Sequence, residues 1–230
     1  MKNRSSLNTS LSVAVIMDGN RRWAKERGLL PYKGHVAGYE KLLSFLDWSL
    51  EEKIPYVTVF AFSTENWKRS KAEIDKLQGL IQRFGKEDKD NFTKKGIKVV
   101  FIGKHDDFDE ETRNSIKRIE EATKDRNELV FTVALSYGGR QDIVMAAEAW
   151  SRSGAEATEA DFARFLQTSH IPDPDLVIRS GGEARVSNFL LWQMAYSEIF
   201  FTDTFWPEFS KEEFMRIIDD FSHRSRRRGV

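Results

Sequence analysis

A single aspartate beside two arginines could hold a phosphate group through a divalent cation. Asp18 precedes Gly19 and Asn20, and Arg21 and Arg22 follow at once. Guanidinium groups pair with phosphate oxygens, whereas a lone carboxylate repels a phosphate unless a cation lies between them. This stretch therefore makes Asp18 a candidate Mg²⁺ ligand in a phosphate or diphosphate site. From these residues alone, an equally good interpretation is that Asp18 caps a helix and the arginines form a solvated face.

The elements on either side place Asp18 at the carboxyl end of a strand. Residues 13–16 are a short apolar run rich in β-branched side chains, which is typical of a buried strand. Gly19 permits a tight turn, and residues 21–26 are good helix formers. A helix that begins here would offer free backbone N–H groups and a positive dipole end to the same anion.

The order of apolar run, polar loop and helical pattern recurs along the chain. Apolar runs at residues 56–62, 98–102, 129–135 and 176–178 are predicted strands, and helical spacing marks most segments between them. This alternation predicts a single α/β domain with a central, mostly parallel sheet flanked by helices. Because parallel strands end at one edge, their polar loops would meet in one crevice. The residues at these ends are Asp18, Asn66, Arg69, Gly139, Arg179 and Arg185.

Composition limits the classes of protein that remain. The chain has 230 residues, 40% of them hydrophobic, which suffices for one sizeable core. Its formal net charge of +0 gives no general argument for nucleic-acid binding. The absence of cysteine excludes disulfides and thiolate zinc sites and fits a reducing cytosol. No run approaches the roughly 18 apolar residues of a membrane span. We predict a flexible leader at residues 1–12 and one domain at residues 13–230.

Six motifs carry a resemblance to a known family. They are MDGNRRWA, AFSTENWKR, SYGGR, IRSGGEARVSNFLLWQ, YSEIFF and WPEF. In this order and spacing they resemble the cis-prenyltransferases, most closely the bacterial undecaprenyl diphosphate synthases, over nearly the whole chain. The resemblance implies that family's fold, a homodimer, and an apolar tunnel for a growing chain. It also implies Mg²⁺-dependent condensation of isopentenyl diphosphate onto an allylic diphosphate such as farnesyl diphosphate. The expected product is a medium-to-long cis-polyprenyl diphosphate, such as the undecaprenyl diphosphate that serves as the peptidoglycan precursor lipid.

The resemblance also implies roles for individual residues. The candidate catalytic residues are Asp18, Asn66, Ser63 and His35, and the candidate metal ligands are Asp18 and, across the dimer, Glu198. For the allylic substrate, the candidates are Gly19, Asn20, Arg21, Arg22, Trp23, Trp67 and Arg69. For isopentenyl diphosphate, they are Arg179, Arg185 and Ser187. Such residues suit the reaction, because cations that neutralise a leaving diphosphate lower the barrier to its departure.

Apolar side chains at helical spacing and on one strand could line the implied tunnel. They are Leu43, Leu46, Leu77, Ile81, Phe84 and Phe101. Without the resemblance, such helix faces are better interpreted as ordinary core. Ala61 is a small residue near the active loop, where a bulky one could block a long chain. Gly79 and Gly85 within a predicted helix indicate a bend or a close approach to another element.

Three positions depart from the family pattern. Arg21 stands where bacterial members usually have glycine, and Ala184 replaces a histidine that in some members is a potential Mg²⁺ ligand. Pro31 stands where the family often has arginine, and proline offers a diphosphate neither a cation nor an N–H group. The missing contact is either lost or supplied by Arg27 or Lys33.

Other classes of protein fit these residues less well. Residues 106–110, DDFDE, lack the final aspartate of the trans-prenyltransferase motif, and no G-x-G-x-x-G follows the first strand as in dinucleotide dehydrogenases. A non-catalytic subunit that stabilises a prenyltransferase partner is an alternative, but it should have lost residues that are present here. The arginine-rich end suits a helix terminus or anionic lipid better than nucleic acid. We therefore expect a cytoplasmic enzyme with transient contact at the inner membrane face and no nucleic-acid partner.

Overall fold

A six-stranded parallel sheet forms the centre of the computed structural model, which describes residues 10–224. The strands are β1 (Ser12–Ile16), β2 (Tyr56–Ser63), β3 (Ile97–Ile102), β4 (Leu129–Tyr137), β5 (Leu176–Arg179) and β6 (Glu198–Phe201). They lie in the order β3-β4-β2-β1-β5-β6, and every neighbouring pair is parallel. The predicted α/β class and parallel sheet are confirmed. The edge strand β6 was not predicted, because it is short and only partly buried.

Among the described residues, the helices and loops enclose one hydrophobic core on each face of the sheet. The helices are α1 (Asn20–Glu26), α2 (Pro31–Glu51), α3 (Lys71–Arg83), α4 (Lys89–Lys94), α5 (Glu110–Thr123), α6 (Gly139–Ser153), α7 (Glu159–Ala163) and α8 (Lys211–His223). Alternate residues of a strand point to opposite faces. Accordingly, Val13 and Val15 belong to the larger core, and Ala14 and Ile16 belong to the smaller one. A third, smaller cluster of described residues packs α6 against α7.

A π-helical segment, Phe84–Asp88, joins α3 to α4. Gly85 within it packs so closely against α5 that a Cβ atom there would lie 2.6 Å from the carbonyl oxygen of Ser115. The predicted close approach is therefore confirmed at Gly85. No close approach occurs at Gly79, where a Cβ would meet nothing within 4 Å, and the alternative of a bend there stays a prediction.

The last two residues of the predicted leader lie against the domain, and the boundary at residues 12 and 13 stays a prediction. Leu11 and Ser12 are buried, and Ser12 is the first residue of β1. Its N–H donates to the carboxylate of Asp175 at 3.0 Å. Residues 1–9 of the predicted leader and the arginines after residue 224 lie outside the described residues. Within residues 10–224, no helix combines the length and the apolar character that crossing a membrane requires.

Candidate active site

A cavity of about 1290 Å³ opens where the sheet strands end. This volume exceeds the roughly 300–1,000 Å³ of common small-molecule sites. Polar strand-end loops line one part of the cavity, and apolar residues of α2, α3, β3 and β4 line another. The predicted convergence of the polar loops is found, except that Gly139 does not line the cavity. The predicted site residues that line the cavity are Asp18, Gly19, Asn20, Arg21, Arg22, His35, Ser63, Asn66, Arg69, Arg179, Arg185 and Ser187.

Asp18 forms an ion pair with a buried arginine. Arg179 donates from Nη2 to Asp18 Oδ2 at 2.8 Å, and the Gly19 N–H donates to Oδ1 at 2.6 Å. Arg22 Nη2 lies 3.3 Å from the same Oδ1. Burial alone would raise the pKa of Asp18, but the hydrogen bonds from Arg179 and Gly19 and the two guanidinium charges hold it below its usual value. Asp18 is therefore ionised at neutral pH.

The sheet and one glycine place this ion pair. Strands β1 and β5 are neighbours with Ile16 opposite Arg179, so the chain emerging from β1 meets the end of β5. Gly19 then turns the chain into α1 with a φ of 99°, which side chains rarely adopt. A Cβ there would also lie 2.6 Å from the ring of Phe205. Glycine at this position thus lets Asp18 face the cavity from a closely packed turn.

Arg179 also contacts Arg185 and Ser187, on the side away from Asp18. Its Nη1 donates to Ser187 Oγ at 2.9 Å and to the carbonyl oxygen of Arg185. The exposed side chain of Arg185 pairs with Glu183 at 2.6 Å. Glu183 lies 3.4 Å from Arg22 as well, so its carboxylate connects Arg22 with Arg185. Glu183 was not predicted from the sequence, although its position two residues before Arg185 was a usable signal.

Glu73 on α3 lies beside three side chains that line the cavity. Like Glu183, it was not predicted from the sequence. Its Oε1 lies 3.0 Å from Arg69 Nη1, 3.7 Å from Arg21 Nη1 and 3.7 Å from His35 Nε2. The four-residue spacing from Arg69 is the signal that could have found it. Burial and the charge of Arg69 lower the pKa of His35 to about 4, despite the opposing effect of Glu73. His35 is therefore neutral at physiological pH.

The stability of the protein at acid pH gives a test of this environment. The pKa of His35 is about 4 in the folded chain against an ordinary value of 6.5, so the unfolded chain binds the extra proton as the pH falls between them. His35 should lower the free energy of unfolding over this window by up to about 3 kcal/mol. We expect His35→Gln to lose less stability than the wild type between pH 7 and pH 4.5, measured by urea unfolding. Equal losses in the two proteins would contradict this assignment.

Ser63 and Asn66 stabilise the loop that presents them. Asn66 Oδ1 accepts from the Ser63 N–H at 3.0 Å, and the Ser63 side chain accepts from the Asn66 N–H. These reciprocal bonds cap the short 3₁₀ helix Thr64–Lys68. Both residues still line the cavity. Their observed bonds fix the shape of the polar loop after β2.

Three predicted site residues do not line the cavity. Trp67 packs behind Phe62, with ring centres 5.0 Å apart. Trp23 lies beneath the guanidinium group of Arg27. Glu198 starts β6, at the end of the sheet opposite Asp18, and pairs with Arg224 at 3.1 Å. The roles implied for these residues stay predictions.

The structure accommodates Pro31 without strain. It is the first residue of α2, where its fixed φ suits a helix start, and it lines the cavity. Neither predicted substitute for the missing arginine lines the cavity. Arg27 pairs with Glu208, and Lys33 lies 5.3 Å from the ring centre of Tyr32. Lys25 does line the cavity and offers a cation there.

The apolar wall agrees with the predicted tunnel in part. Leu77, Ile81, Phe84 and Phe101 line the cavity. Leu43 and Leu46 do not line the cavity, although they pack in the same hydrophobic core as Phe84 and Phe101. Leu42 and Leu80 line it as well. Ala61 lines it where the pairing of β2 with β4 is irregular.

Among the described residues, Asp18 and Glu65 are the carboxylates that line the cavity, and Asp18 is the one beside Arg22 and Arg179. Among the described residues, no group of three His, Cys, Asp or Glu side chains could enclose a metal ion. Mg²⁺ is commonly held by one or two carboxylates together with substrate phosphates, and it keeps several waters. Asp18 is ionised and partly exposed at the cavity, so it fits that mode of binding.

Known proteins share both the sequence and the fold. The family model for undecaprenyl diphosphate synthase, a prenyltransferase family, matches residues 16–229. An isoprenyl transferase of Aquifex pyrophilus is 45% identical over 225 residues, which cover 97% of each chain. A geranylgeranyl-diphosphate-specific tritrans,polycis-undecaprenyl-diphosphate synthase of Pyrococcus horikoshii is also 45% identical, over 94% of this chain and 86% of its own.

Two solved structures support the same assignment. Lavandulyl diphosphate synthase from Lavandula x intermedia, in complex with dimethylallyl diphosphate, has a TM-score of 0.92 and 31% identity over 97% of this chain and 100% of its own. A probable undecaprenyl diphosphate synthase from Campylobacter jejuni has a TM-score of 0.82 and 36% identity over 95% and 98%. The fold and the relatives are those of enzymes that transfer prenyl groups. The chain belongs to the undecaprenyl diphosphate synthase family of cis-prenyltransferases.

Proposed function

We propose that this enzyme condenses isopentenyl diphosphate onto an allylic diphosphate, with Mg²⁺, to form a cis-polyprenyl diphosphate. The observation that carries the proposal is that one large cavity is lined by apolar side chains and by two groups of arginines. The first group includes Arg22 and Arg69, and the second consists of Arg179 and Arg185. Two diphosphates need two sets of cations, and a growing hydrocarbon needs an apolar space. The plant relative that holds dimethylallyl diphosphate supports an allylic substrate for this chain.

The allylic diphosphate would bind between the Asp18 loop and Arg69. Departure of this group leaves positive charge on the allylic carbon and negative charge on the diphosphate. Arg22 and Arg69 would stabilise the negative charge, and the apolar wall would exclude water from the carbon. Mg²⁺ bound to Asp18 and the diphosphate would supply further charge neutralisation when present.

Isopentenyl diphosphate would bind at Arg179, Arg185 and Ser187. Its diphosphate stays on the product, so this site holds charge throughout the reaction. Arginine suits the task, because its planar fork can pair with two phosphate oxygens at once. The site shares Arg179 with Asp18, so the two diphosphates would lie on either side of a single buried guanidinium group.

His35 is the best-placed of the predicted catalytic residues to exchange a hydrogen bond with substrate. Its Nε2 atom is buried and has no hydrogen-bond partner in the described structure. Ser63 and Asn66, by contrast, already bond each other. We therefore assign His35 to the reacting part of the site and the other two residues to the shape of the loop.

We propose farnesyl diphosphate as the primer and undecaprenyl diphosphate, used as a cell-wall lipid carrier, as the product. The large volume of the cavity supports a medium-to-long product. Relatives specific for geranylgeranyl diphosphate make that compound the second primer to test. Such a product would be released at a membrane surface, so we propose a cytoplasmic enzyme that contacts the inner face transiently.

We also propose a homodimer. Val144, Met145, Tyr196 and Phe201 are exposed apolar side chains on α6 and around the edge strand β6. Exposed apolar side chains beside an unpaired edge favour association. A second chain against β6 would also bring Glu198 close to the interface, as its predicted role across the dimer requires. Light scattering that gives the mass of a monomer would contradict this part.

Separate effects on the two substrates would test the assignment of the two sites. We expect Arg69→Ala to raise KM for farnesyl diphosphate by about 10-fold or more, with a smaller effect on isopentenyl diphosphate. Arg185→Ala should do the reverse. Steady-state kinetics with each substrate varied in turn would measure both, with Arg152→Ala on the surface of α6 as the control. Identical effects of the two variants on both substrates would contradict separate sites.

The non-catalytic subunit is disfavoured by the intact ion pair at the site. Such a subunit needs no buried Arg179 and no ionised Asp18, yet both are in place. Turnover by the purified chain alone would exclude this alternative.

A further inference from the structure

Asn188 connects loops that follow three different strands. Its Oδ1 accepts from the backbone N–H of Arg140 at 2.9 Å, and its carbonyl oxygen accepts from the N–H of Gly139 at 2.7 Å. The carboxylate of Glu65 accepts a hydrogen bond from the Asn188 side chain. The amide nitrogen lies so close to Gly138 that a Cβ there would be 2.7 Å away. Asn188 itself lies in the loop after β5. Its partners Glu65 and Arg140 follow β2 and β4, so Asn188 connects all three loops.

Two of these bonds complete the start of α6. The helix begins at Gly139, and Gly138 at its N-cap has no side chain that could accept a hydrogen bond. The first N–H groups of any helix lack partners within the helix. Asn188 satisfies two of them, although it lies 48 residues further along the chain from Arg140.

The backbone at Asn188 favours this residue type. Asn188 has a φ of 65° and Ser187 a φ of 49°, both in the left-handed region. Among residues other than glycine, asparagine adopts this conformation most readily. The turn directs Ser187 Oγ towards Arg179 Nη1. Anchoring Asn188 on α6 therefore also fixes Ser187.

We propose that Asn188 is a positioning residue for the site formed by Arg179, Arg185 and Ser187. This inference rests on the proposed function of that site in holding isopentenyl diphosphate. Asn188 lines the cavity, but its side chain is engaged by Arg140 and Glu65. It acts on the substrate through the orientation of Ser187 and of the loop that carries Arg185.

Two substitutions separate the acceptor oxygen of Asn188 from its amide nitrogen. Asn188→Gly keeps the left-handed backbone but removes the bond to Arg140, whereas Asn188→Asp keeps an oxygen for it. Both are compared in a Glu65→Gln background, so that the new carboxylate meets no like charge. We expect the glycine variant to raise KM for isopentenyl diphosphate about 10-fold or more and KM for farnesyl diphosphate less than about twofold. The aspartate variant should stay within about threefold of its parent for both.

Equal losses in the two variants would overturn the inference, because the amide nitrogen would then act on the substrate directly. A parallel rise of both KM values in the glycine variant would overturn it as well, since that indicates a general defect.

Amide hydrogen exchange gives a readout that does not depend on the proposed function. In the substrate-free protein, the Arg140 amide should exchange faster in the glycine variant and stay protected in the aspartate variant. The Asp142 amide, which donates within α6 to Gly138, is the internal control. Unchanged exchange at Arg140 in the glycine variant would overturn the inference. A wild type that condenses no isopentenyl diphosphate would overturn the proposed function and leave the exchange result interpretable.

Discussion

Asp18→Asn should lower kcat by about 10³-fold while the protein stays folded. The single asparagine oxygen can keep only one of the two hydrogen bonds that Asp18 accepts from Arg179 and the Gly19 N–H. The backbone of residue 18 still bonds Ser180 Oγ, so the loop should keep its shape. The amide carries no charge, however, and it is a poor ligand for a cation shared with a diphosphate. Steady-state turnover with farnesyl diphosphate and isopentenyl diphosphate measures the loss.

The same substitution should also lower stability. Arg179 has a side chain only 4% exposed, and Asp18 supplies its closest counter-charge. Since Asp18 is itself 30% exposed, we expect a loss of about 2 kcal/mol, below the range for a fully buried pair. Urea unfolding measures this loss.

A surface aspartate provides the control for both effects. Asp47 pairs with Lys95 away from the cavity, so Asp47→Asn should leave kcat unchanged. Turnover by Asp18→Asn within about threefold of the wild type would contradict the assigned role.

Phe84→Ala should shift the products to longer chains by at least one isoprene unit. Phe84 lines the cavity and is 5% exposed. Its ring meets Phe92 and Phe131 behind it, with ring centres 4.6 and 6.0 Å away. Under the proposed function, this aromatic cluster would be the wall against which a growing chain stops. Removing the ring of Phe84 would extend the space that the hydrocarbon chain can occupy.

Phe92→Ala is the matched control for product length. Phe92 belongs to the same cluster but does not line the cavity. Each truncation should cost about 3–5 kcal/mol of stability, so both variants are assayed well below their melting temperatures. Only Phe84→Ala should change the length of the extracted lipid, resolved by chromatography. An unchanged length in Phe84→Ala, or an equal change in Phe92→Ala, would place the end of the chain elsewhere.

Periodicity predicted most of the fold, because β1 to β5 are apolar runs with polar loops after them. The strand β6 was not predicted, since it has only four residues, begins with the charged Glu198 and is only partly buried. The polar site was predictable for a related reason. Parallel strands bring their ends together, so Asp18 and Arg179 meet from opposite ends of the chain.

The sequence did not show the surroundings of side chains whose neighbours come from distant parts of the chain. Trp67 turns behind Phe62 and donates to Ser136, although the motif places it next to cavity-lining residues. Glu73 does not line the cavity, yet it lies beside three groups that do. The capping of α6 by Asn188 joins two loops that are distant in sequence. Hydrogen bonds of this kind depend on tertiary structure and leave no periodic signal.

The most direct test is product analysis with the purified chain. It is incubated with Mg²⁺, radiolabelled isopentenyl diphosphate and either farnesyl or geranylgeranyl diphosphate, and the extracted lipid is examined for length and double-bond geometry. We predict a polyprenyl diphosphate whose newly formed double bonds are cis, and no such product from Asp18→Asn. The absence of any product with every allylic primer tried, from a folded protein, would contradict the proposed activity and favour a non-catalytic subunit.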